Sequence, residues 1–419
     1  MDKVQIENTE FIVDGIKYVC SEFKNRSAGS ISEKMCQKYF KDQLNKWADQ
    51  VDEEPFSLHP KAFMGSMTLS SLLNIISAIL LWIGLKSNSS FLPIISTAVI
   101  LFSVVLDATE SFLYRQFFDF LFSKATSTNI MARRAPKGEV KRRIIFGGHA
   151  DAAYEMTYVL HGQIKTVLPV LAGSSLGAAF VLISNISLLI HYIATGSVDM
   201  EGIWRLIGMV GFAFIPFFLA VVFFTNWARV VDGANDNLSA CYVAMSVLKE
   251  MSEKNIRYEN TEVCCLITGS EEAGLRGSLA YAERHREELL NVETIFIALD
   301  TMRDIDQLRV FTLGLNGTQR NSDVVGELLI EVGNNWGVEI RKSKLLFGAT
   351  DAEAFSRNGI LSCGFCGVDL KPKLYYHTRF DTWNNINREC LQISRKICIE
   401  TAHLYDNKGI ETPGGTKPQ

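Results

Sequence analysis

The chain has 419 residues, enough for one large domain or two of medium size, and a formal net charge of -4. That near-balance leaves no basic footprint, so no nucleic-acid partner is expected. Its nine cysteines form an odd set without the spacing of a secreted disulfide domain, and several lie inside apolar patterns where a reduced Cys behaves as a small hydrophobe.

In chain order, Asp2, Lys3, Glu7 and Glu10 make the amino terminus too charged for a secretory signal. Residues 1–62 read as a first soluble segment. Two uncharged apolar runs follow, Met64–Leu85 and Phe91–Leu106, joined by Lys86–Ser90, and they predict a transmembrane hairpin over 63–110. The second run is short because Asp107 and Glu110 close it. Soluble character returns over 111–165, with a strand at Arg143–Gly148. A second hairpin is predicted over 166–227 from the runs Val167–Ile190 and Ile203–Thr225, with Arg205 placed to reach an interface. A helix buried in a soluble core rarely stays uncharged for so long. Gly173-Ser174-Ser175-Leu176-Gly177 supplies the small-residue spacing that lets helices approach closely in lipid, a route to a homo-oligomer.

From 228 to 407 the periodicity alternates. Helices are predicted at Asn237–Ser252, Ser278–Leu290, Asn321–Trp336 and Arg388–Tyr405. Strands are predicted at Glu262–Thr268, Thr294–Leu299, Leu308–Leu313 and Ile360–Gly367. The tail 408–419, with Gly and Pro, is expected to fray. This order argues for an α/β/α sandwich interrupted by two hairpins. Each hairpin returns the chain to its starting side, so the soluble segments share one compartment. Lys61, Arg115, Lys124, Lys165 and Arg229 lie on that side, with Lys86 and Arg205 opposite. The positive-inside rule then predicts an integral protein of the plasma membrane with its soluble domain in the cytoplasm.

The chemistry gathers at strand ends. Glu271 and Glu272 follow the strand Glu262–Thr268 on a small-residue turn. Open α/β sheets keep their reactive groups at that edge, and neighbouring acids there suit a division in which one holds a metal and the other moves a proton. His149 and Asp300 follow two further strands, Asp236 opens a helix, and His377 follows Leu374-Tyr375-Tyr376. Two imidazoles and three carboxylates suit two zinc ions, with Asp236 able to bridge them. Asp151 can orient the His149 ring. Each residue has a blander reading: a loop acid pair is often only solvated, and Asp236 could be an N-cap. Five coincidences at one sheet edge favour the metal. His59, His161, His285 and His403 read as surface or packing residues, and His191 as interfacial. Cys363-Gly-Phe-Cys366 could pair for redox or metal chemistry, but its apolar run reads as buried strand.

These motifs resemble the co-catalytic zinc aminopeptidase family that includes aminopeptidase Y, bacterial leucyl aminopeptidases and glutamate carboxypeptidase. The resemblance rests on His149-Ala150-Asp151, Gly233-Ala234-Asn235-Asp236-Asn237-Leu238-Ser239, Ser270-Glu271-Glu272-Ala273-Gly274-Leu275-Arg276-Gly277-Ser278, Leu299-Asp300-Thr301-Met302, Gly348-Ala349-Thr350-Asp351 and Tyr376-His377-Thr378-Arg379-Phe380-Asp381-Thr382. Arg26-Ser27-Ala28-Gly29-Ser30 resembles the family's amino-terminal segment. It implies a mixed-sheet, phosphorylase/hydrolase-like fold and the hydrolysis of short peptides from their amino ends. It implies one zinc on His149, Asp236 and Asp300, a second on Asp236, Glu272 and His377, and Glu271 as general base. Unlike soluble members, this chain places a whole hairpin between His149 and Asp236, and Ala240 and Trp383-Asn384 depart from the usual residues. Two other functions stay open: a glutaminyl cyclase-like zinc acyltransferase, and a non-catalytic membrane receptor or assembly subunit. Retention of all five ligand positions and Glu271 argues against the last.

Overall fold

The computed structural model describes residues 9–87, 89–162, 164–196, 202–369 and 375–410. Leu374 and the tail from 411 onward lie outside these residues. The chain divides into two units, one of residues 1–60, 124–154 and 229–419, the other of residues 61–123 and 155–228. Residues 111–123 and 155–165, expected in the soluble part, thus fall in the second unit.

The first unit is a mixed nine-stranded sheet with helices on both faces. Its elements are α1 (Thr9–Glu22), α2 (Ile31–Leu44), β1 (Gln50–Leu58), β2 (Ala125–Arg134), β3 (Arg142–His149), α3 (Ala240–Glu253), β4 (Thr261–Thr268), α4 (Arg276–Arg284), α5 (Arg286–Asn291), β5 (Glu293–Met302), β6 (Leu308–Gly314), β7 (Gln319–Arg320), α6 (Asp323–Asn335), β8 (Arg341–Lys344), α7 (Asp351–Arg357), β9 (Leu361–Gly367) and α8 (Arg388–Lys408). The sheet order is β1-β2-β4-β3-β5-β9-β6-β8, with β7 paired to β6. Four central strands, β4, β3, β5 and β9, run parallel. All eight residues of β4 are buried, as a strand covered on both faces requires. The edge strand β1 alternates in exposure and tolerates Pro55, which a central strand would not.

Side chains divide by the two-residue period. Ile144, Phe146, Val263, Cys265, Ile295 and Ile297 join α1, α3 and α8 in one core. On the opposite face Phe296 stacks on Phe355 of α7 at 3.8 Å between ring centroids. Cys363 and Cys366 are buried within β9, and all nine cysteines are free and buried. The predicted helix Ser278–Leu290 is two helices, since the α4 geometry ends at His285. His285, expected at the surface or in packing, lies within hydrogen-bonding distance of Glu54 and Glu288. Two antiparallel strands, β1 and β2, extend the sheet beyond the elements read from the sequence.

Among its described residues the second unit holds four helical stretches long and apolar enough to cross a membrane: Ala62–Lys86, Phe91–Phe112, Ile164–Thr195 and Ile203–Val222. The second runs beyond Leu106 because a π turn, Asp107–Phe112, continues it through the acidic residues. The fourth is two helices, Ile203–Ala213 and Ile215–Val222, with Pro216 near the start of the latter. Its patterning is inside-out for water. Ser70, Asn74, Ser77, Ser96 and Ser103 are buried, while Ile76, Ile83, Leu101, Ile183 and Ile190 are exposed. Ser77 and Ser96 exchange hydrogen bonds, and the Ser103 hydroxyl donates to Asn74 Oδ1 at 2.6 Å. The glycines of Gly173–Gly177 are filled within the unit: a Cβ on Gly173 would strike the Phe217 ring, and one on Gly177 would lie 2.7 Å from Phe214.

Candidate active site

Four parallel strands deliver their carboxyl ends to one edge, and the site is built there. His149 is the last residue of β3, Glu271 and Glu272 follow β4, Asp300 lies near the end of β5, and the chain after β9 leads to His377. Asp236 sits in an irregular turn, Ala234–Ser239, that precedes α3. The helix takes Ser239 as its N-cap, so the capping reading of Asp236 is set aside. Its carboxylate faces the two histidines instead: His149 Nε2 lies 3.2 Å from Oδ1 and His377 Nε2 lies 2.9 Å from Oδ2.

Among the described residues, donor atoms converge in three groups whose members all lie within 4.8 Å of one another. They are His149, Asp236 and Asp300; Asp236, Glu272 and His377; and His149, Glu271 and Glu272. All six residues are thus drawn together, and the first two groups share Asp236. Glu271 Oε2 is 3.8 Å from His149 Nε2. Glu272 Oε1 is buried and accepts no hydrogen bond, although His377 Nε2 is 3.3 Å away. An orphaned buried oxygen among imidazoles and acids is what a divalent cation site presents, since burying such carboxylates uncompensated is costly. The residues present fit zinc in donor type and number.

Supporting contacts tie the strand ends together. Asp151 accepts the Glu271 N–H on Oδ1 and the Glu272 N–H on Oδ2, both at 3.0 Å, and Oδ1 is 3.4 Å from His149 Nδ1. Its reach is wider than the sequence suggested: it holds the acid pair as well as the ring. Asp381 accepts from the Asn235 N–H, the Asn235 amide and the Asp236 N–H, at 2.8, 2.7 and 3.1 Å. Asn237 donates to the Leu299 carbonyl and accepts the Thr301 N–H, bonding the Asp236 turn to the strand of Asp300. Buried Arg26 donates to the carbonyls of Ala150 and Asp232, joining the turns after β3 and before α3.

Glu33 is the residue sequence reasoning missed most completely. Its Oε1 accepts the Ser270 N–H at 2.6 Å and the Ser270 hydroxyl at 2.9 Å, while Oε2 accepts the Gly29 N–H at 2.7 Å. The signal was a capping box, Ser30-x-x-Glu33, which predicts only the local cap. Asn129 of β2 braces the same turn by accepting the Gly269 N–H and donating to the Gly277 carbonyl. Gly269 and Gly277 approach so closely that a Cβ on Gly277 would strike the Gly269 carbonyl oxygen. Ser270, Leu275, Thr301 and His377 all adopt positive φ, of 57°, 61°, 50° and 51°. Such backbone persists only where its surroundings enforce it.

Burial and mutual repulsion set the charges. Glu271 is raised well above the usual carboxylate range by burial and by Glu272, Asp351 and Asp300, against the pull of His149. Burial and Asp236 raise Asp300 to about 7. Asp236 is itself lowered because, although burial opposes this, both imidazoles favour its anion. The histidines are raised above their ordinary value: burial disfavours the cation but the surrounding carboxylates outweigh it, Glu271 foremost for His149 and Glu272 for His377.

Residues 221–402 match the sequence model of Peptidase family M28, and the fold likeness below extends over nearly the whole chain. The matched segment holds Asp236, Glu271, Glu272, Asp300 and His377. The match and the converged donor set support a zinc-dependent metallopeptidase, a hydrolase. Its fold is similar to that of the zinc aminopeptidase BSAP from Bacillus subtilis, with a TM-score of 0.54 at 14% identity over 97% of this chain and 96% of that one. An aminopeptidase from Aneurinibacillus sp. strain AM-1 gives 0.53 at 15% identity, over 94% and 93%. A glutaminyl cyclase from an Acidobacteriales bacterium gives 0.52 at 13% identity, over 95% and 94%. No curated protein sequence matches significantly.

Proposed function

We propose that this chain is a membrane-embedded di-zinc aminopeptidase of the M28 type acting on short peptides. The observation that carries the reading is Asp236, which turns one oxygen to His149 and the other to His377. With Asp300 beside the first and Glu272 beside the second, two three-donor sets share one carboxylate. His149, Asp236 and Asp300 would hold one ion, and Asp236, Glu272 and His377 the other. Zinc, when bound, supplies Lewis acidity toward a carbonyl oxygen and lowers the pKa of water.

The chain's own groups do the rest. Glu271 belongs to no ligand set in this reading and faces His149. Its raised affinity for a proton suits it to take one from water and return it to the departing amine. Asp151 fixes the backbone of both acids, so proton carrier and ligand move as one piece. The surplus of carboxylates suits a substrate with a free α-amine. Hydrolysis of a free-amine peptide, loss of it with chelator, and no reaction on the N-acetylated peptide are the expected results. Cleavage of both peptides alike would overturn the aminopeptidase assignment. The glutaminyl cyclase likeness sustains a second reading, a single-zinc acyl transfer. Release of cyclised product without hydrolysis would select it.

The inside-out patterning of the second unit supports the membrane placement, because lipid rewards outward Ile and Leu and inward hydroxyls. The basic residues Lys61, Arg115, Lys124, Lys165 and Arg229 favour a cytoplasmic peptidase unit at the plasma membrane. Self-association through these helices would use a face other than Gly173–Gly177, which is already packed.

A further inference from the structure

After the helical stretch Phe91–Phe112 the chain folds back along that stretch before it enters β2. Tyr114 packs on Phe63, at 4.5 Å between ring centroids, and a Cβ on Gly65 would lie 2.7 Å from the Phe122 ring. The segment therefore leaves and returns level with the first turn of Ala62–Lys86. Between these points it doubles back: the Phe118 ring meets Phe102 edge-on at 5.4 Å, and Phe102 lies inside the apolar run Phe91–Leu106. The backbone there is held. Buried Glu110 accepts the Phe118 N–H on Oε1 at 2.7 Å, and the Leu121 and Phe122 N–H groups donate to the carbonyls of Phe118 and Asp119. Fixed in this way, the turn presents Phe117 and Phe120 outward, 66% and 72% exposed, with Leu121 exposed beside them. Phe102, on which the turn rests, is exposed as well, so these side chains continue the outward apolar surface of the helices.

We propose that residues 114–122 form an interfacial anchor, which seats Phe117, Phe120 and Leu121 among the acyl chains just beneath the lipid headgroups. Three observations select lipid as the partner. The exposed rings are continuous with helices long and apolar enough to cross a membrane. Arg115 within the segment and Lys124 just after it are exposed, and cations flanking an apolar face suit a headgroup layer. The N–H groups of Phe118, Leu121 and Phe122 already have partners, so insertion leaves them satisfied. An apolar face of this type sits roughly 5–10 Å into the boundary between headgroups and acyl chains. The inference rests on the membrane placement proposed above, not on the peptidase assignment, and adds a lipid contact beyond the four spans.

The test is site-directed spin labelling of the full-length protein in liposomes. All nine native cysteines are buried, so a nitroxide reagent reads only an added one. Phe117→Cys and Phe120→Cys replace outward side chains and leave Tyr114 and Phe118 in their packing, and a cooperative melt checks each fold. Collision rates with oxygen, which partitions into lipid, and with a water-soluble nickel chelate give the depth of each label. Ile183→Cys, at an exposed site of Ile164–Thr195, is the span reference, and Glu283→Cys, exposed on α4, is the water reference. The oxygen-to-nickel ratio at both phenylalanine sites should exceed that at Glu283 severalfold and approach that at Ile183. Water-like ratios at both sites beside a lipid-like Ile183 would overturn the anchor and leave the membrane placement standing. A water-like Ile183 would overturn the placement, and the anchor with it.

Discussion

Asp151→Asn isolates the residue that joins the acid pair to the His149 ring. The side chain is fully buried and keeps its shape in the variant. One of its two oxygens becomes an NH₂ group, however, and that group must face a backbone N–H of Glu271 or Glu272, each now 3.0 Å from a carboxylate oxygen. One charge-assisted hydrogen bond is lost outright, at about 1.5–3 kcal/mol. The other weakens to a neutral bond. The two N–H groups belong to the proposed proton carrier and to a proposed zinc ligand, so the loss falls on the reacting geometry. At about 1.4 kcal/mol per tenfold in rate, kcat/KM should fall roughly 10–100-fold. KM should change little, because Asp151 is buried beneath the acids. Steady-state kinetics on an aminoacyl anilide, with zinc affinity from chelator competition, would measure both. Wild-type kcat/KM and zinc affinity in a folded Asp151→Asn protein would refute the coupling argued from these distances.

Glu271→Gln should keep its zinc and lose roughly 10²–10⁴-fold in kcat, read by single-turnover hydrolysis beside metal analysis. Burial and the nearby Asp151 push Glu33 up to about 8 from 4.5, so the native state binds its proton more tightly than the unfolded chain does. Its contribution to stability is therefore complete below pH 4.5 and is lost as pH rises through about 8. Thermal melts of the metal-free protein across that window should fall with pH, and Glu33→Gln should flatten the slope. Gly277→Ala places a Cβ against the Gly269 carbonyl, a backbone atom that cannot swing aside. Overpacking of this kind costs about 1–3 kcal/mol, and a lowered Tm with reduced zinc content should follow. Phe355→Ala removes the ring stacked on Phe296 and should cost about 3–5 kcal/mol, measurable by denaturant melts.

The central strands were legible because burial on both faces writes itself as a continuous apolar run, as in Thr261–Thr268. Their ends then located His149, Glu271, Glu272 and Asp300 without further information. β1 was not legible: Gln-Val-Asp-Glu-Glu-Pro is an edge strand whose charged outward positions hide its period. Helix starts were misplaced where the chain makes an irregular turn, so Asn237 was read into a helix that begins at Ala240. The supporting partners were hidden for a different reason. Glu33 meets Ser270 and Asn129 meets Gly277 across long stretches of sequence, and no local pattern marks such pairs. The Gly173–Gly177 spacing was read correctly as a close-approach surface, but the ring that fills it comes from the same chain.

Counting zinc decides the central claim, that Asp236 serves two ions at once. Native mass spectrometry or elemental analysis of the purified full-length chain should give two zinc ions per chain. His377→Ala should reduce this to one, and Asp236→Asn should lose both along with peptide hydrolysis. A fully active wild-type protein holding one zinc, with that zinc unaffected by His377→Ala, would contradict the account.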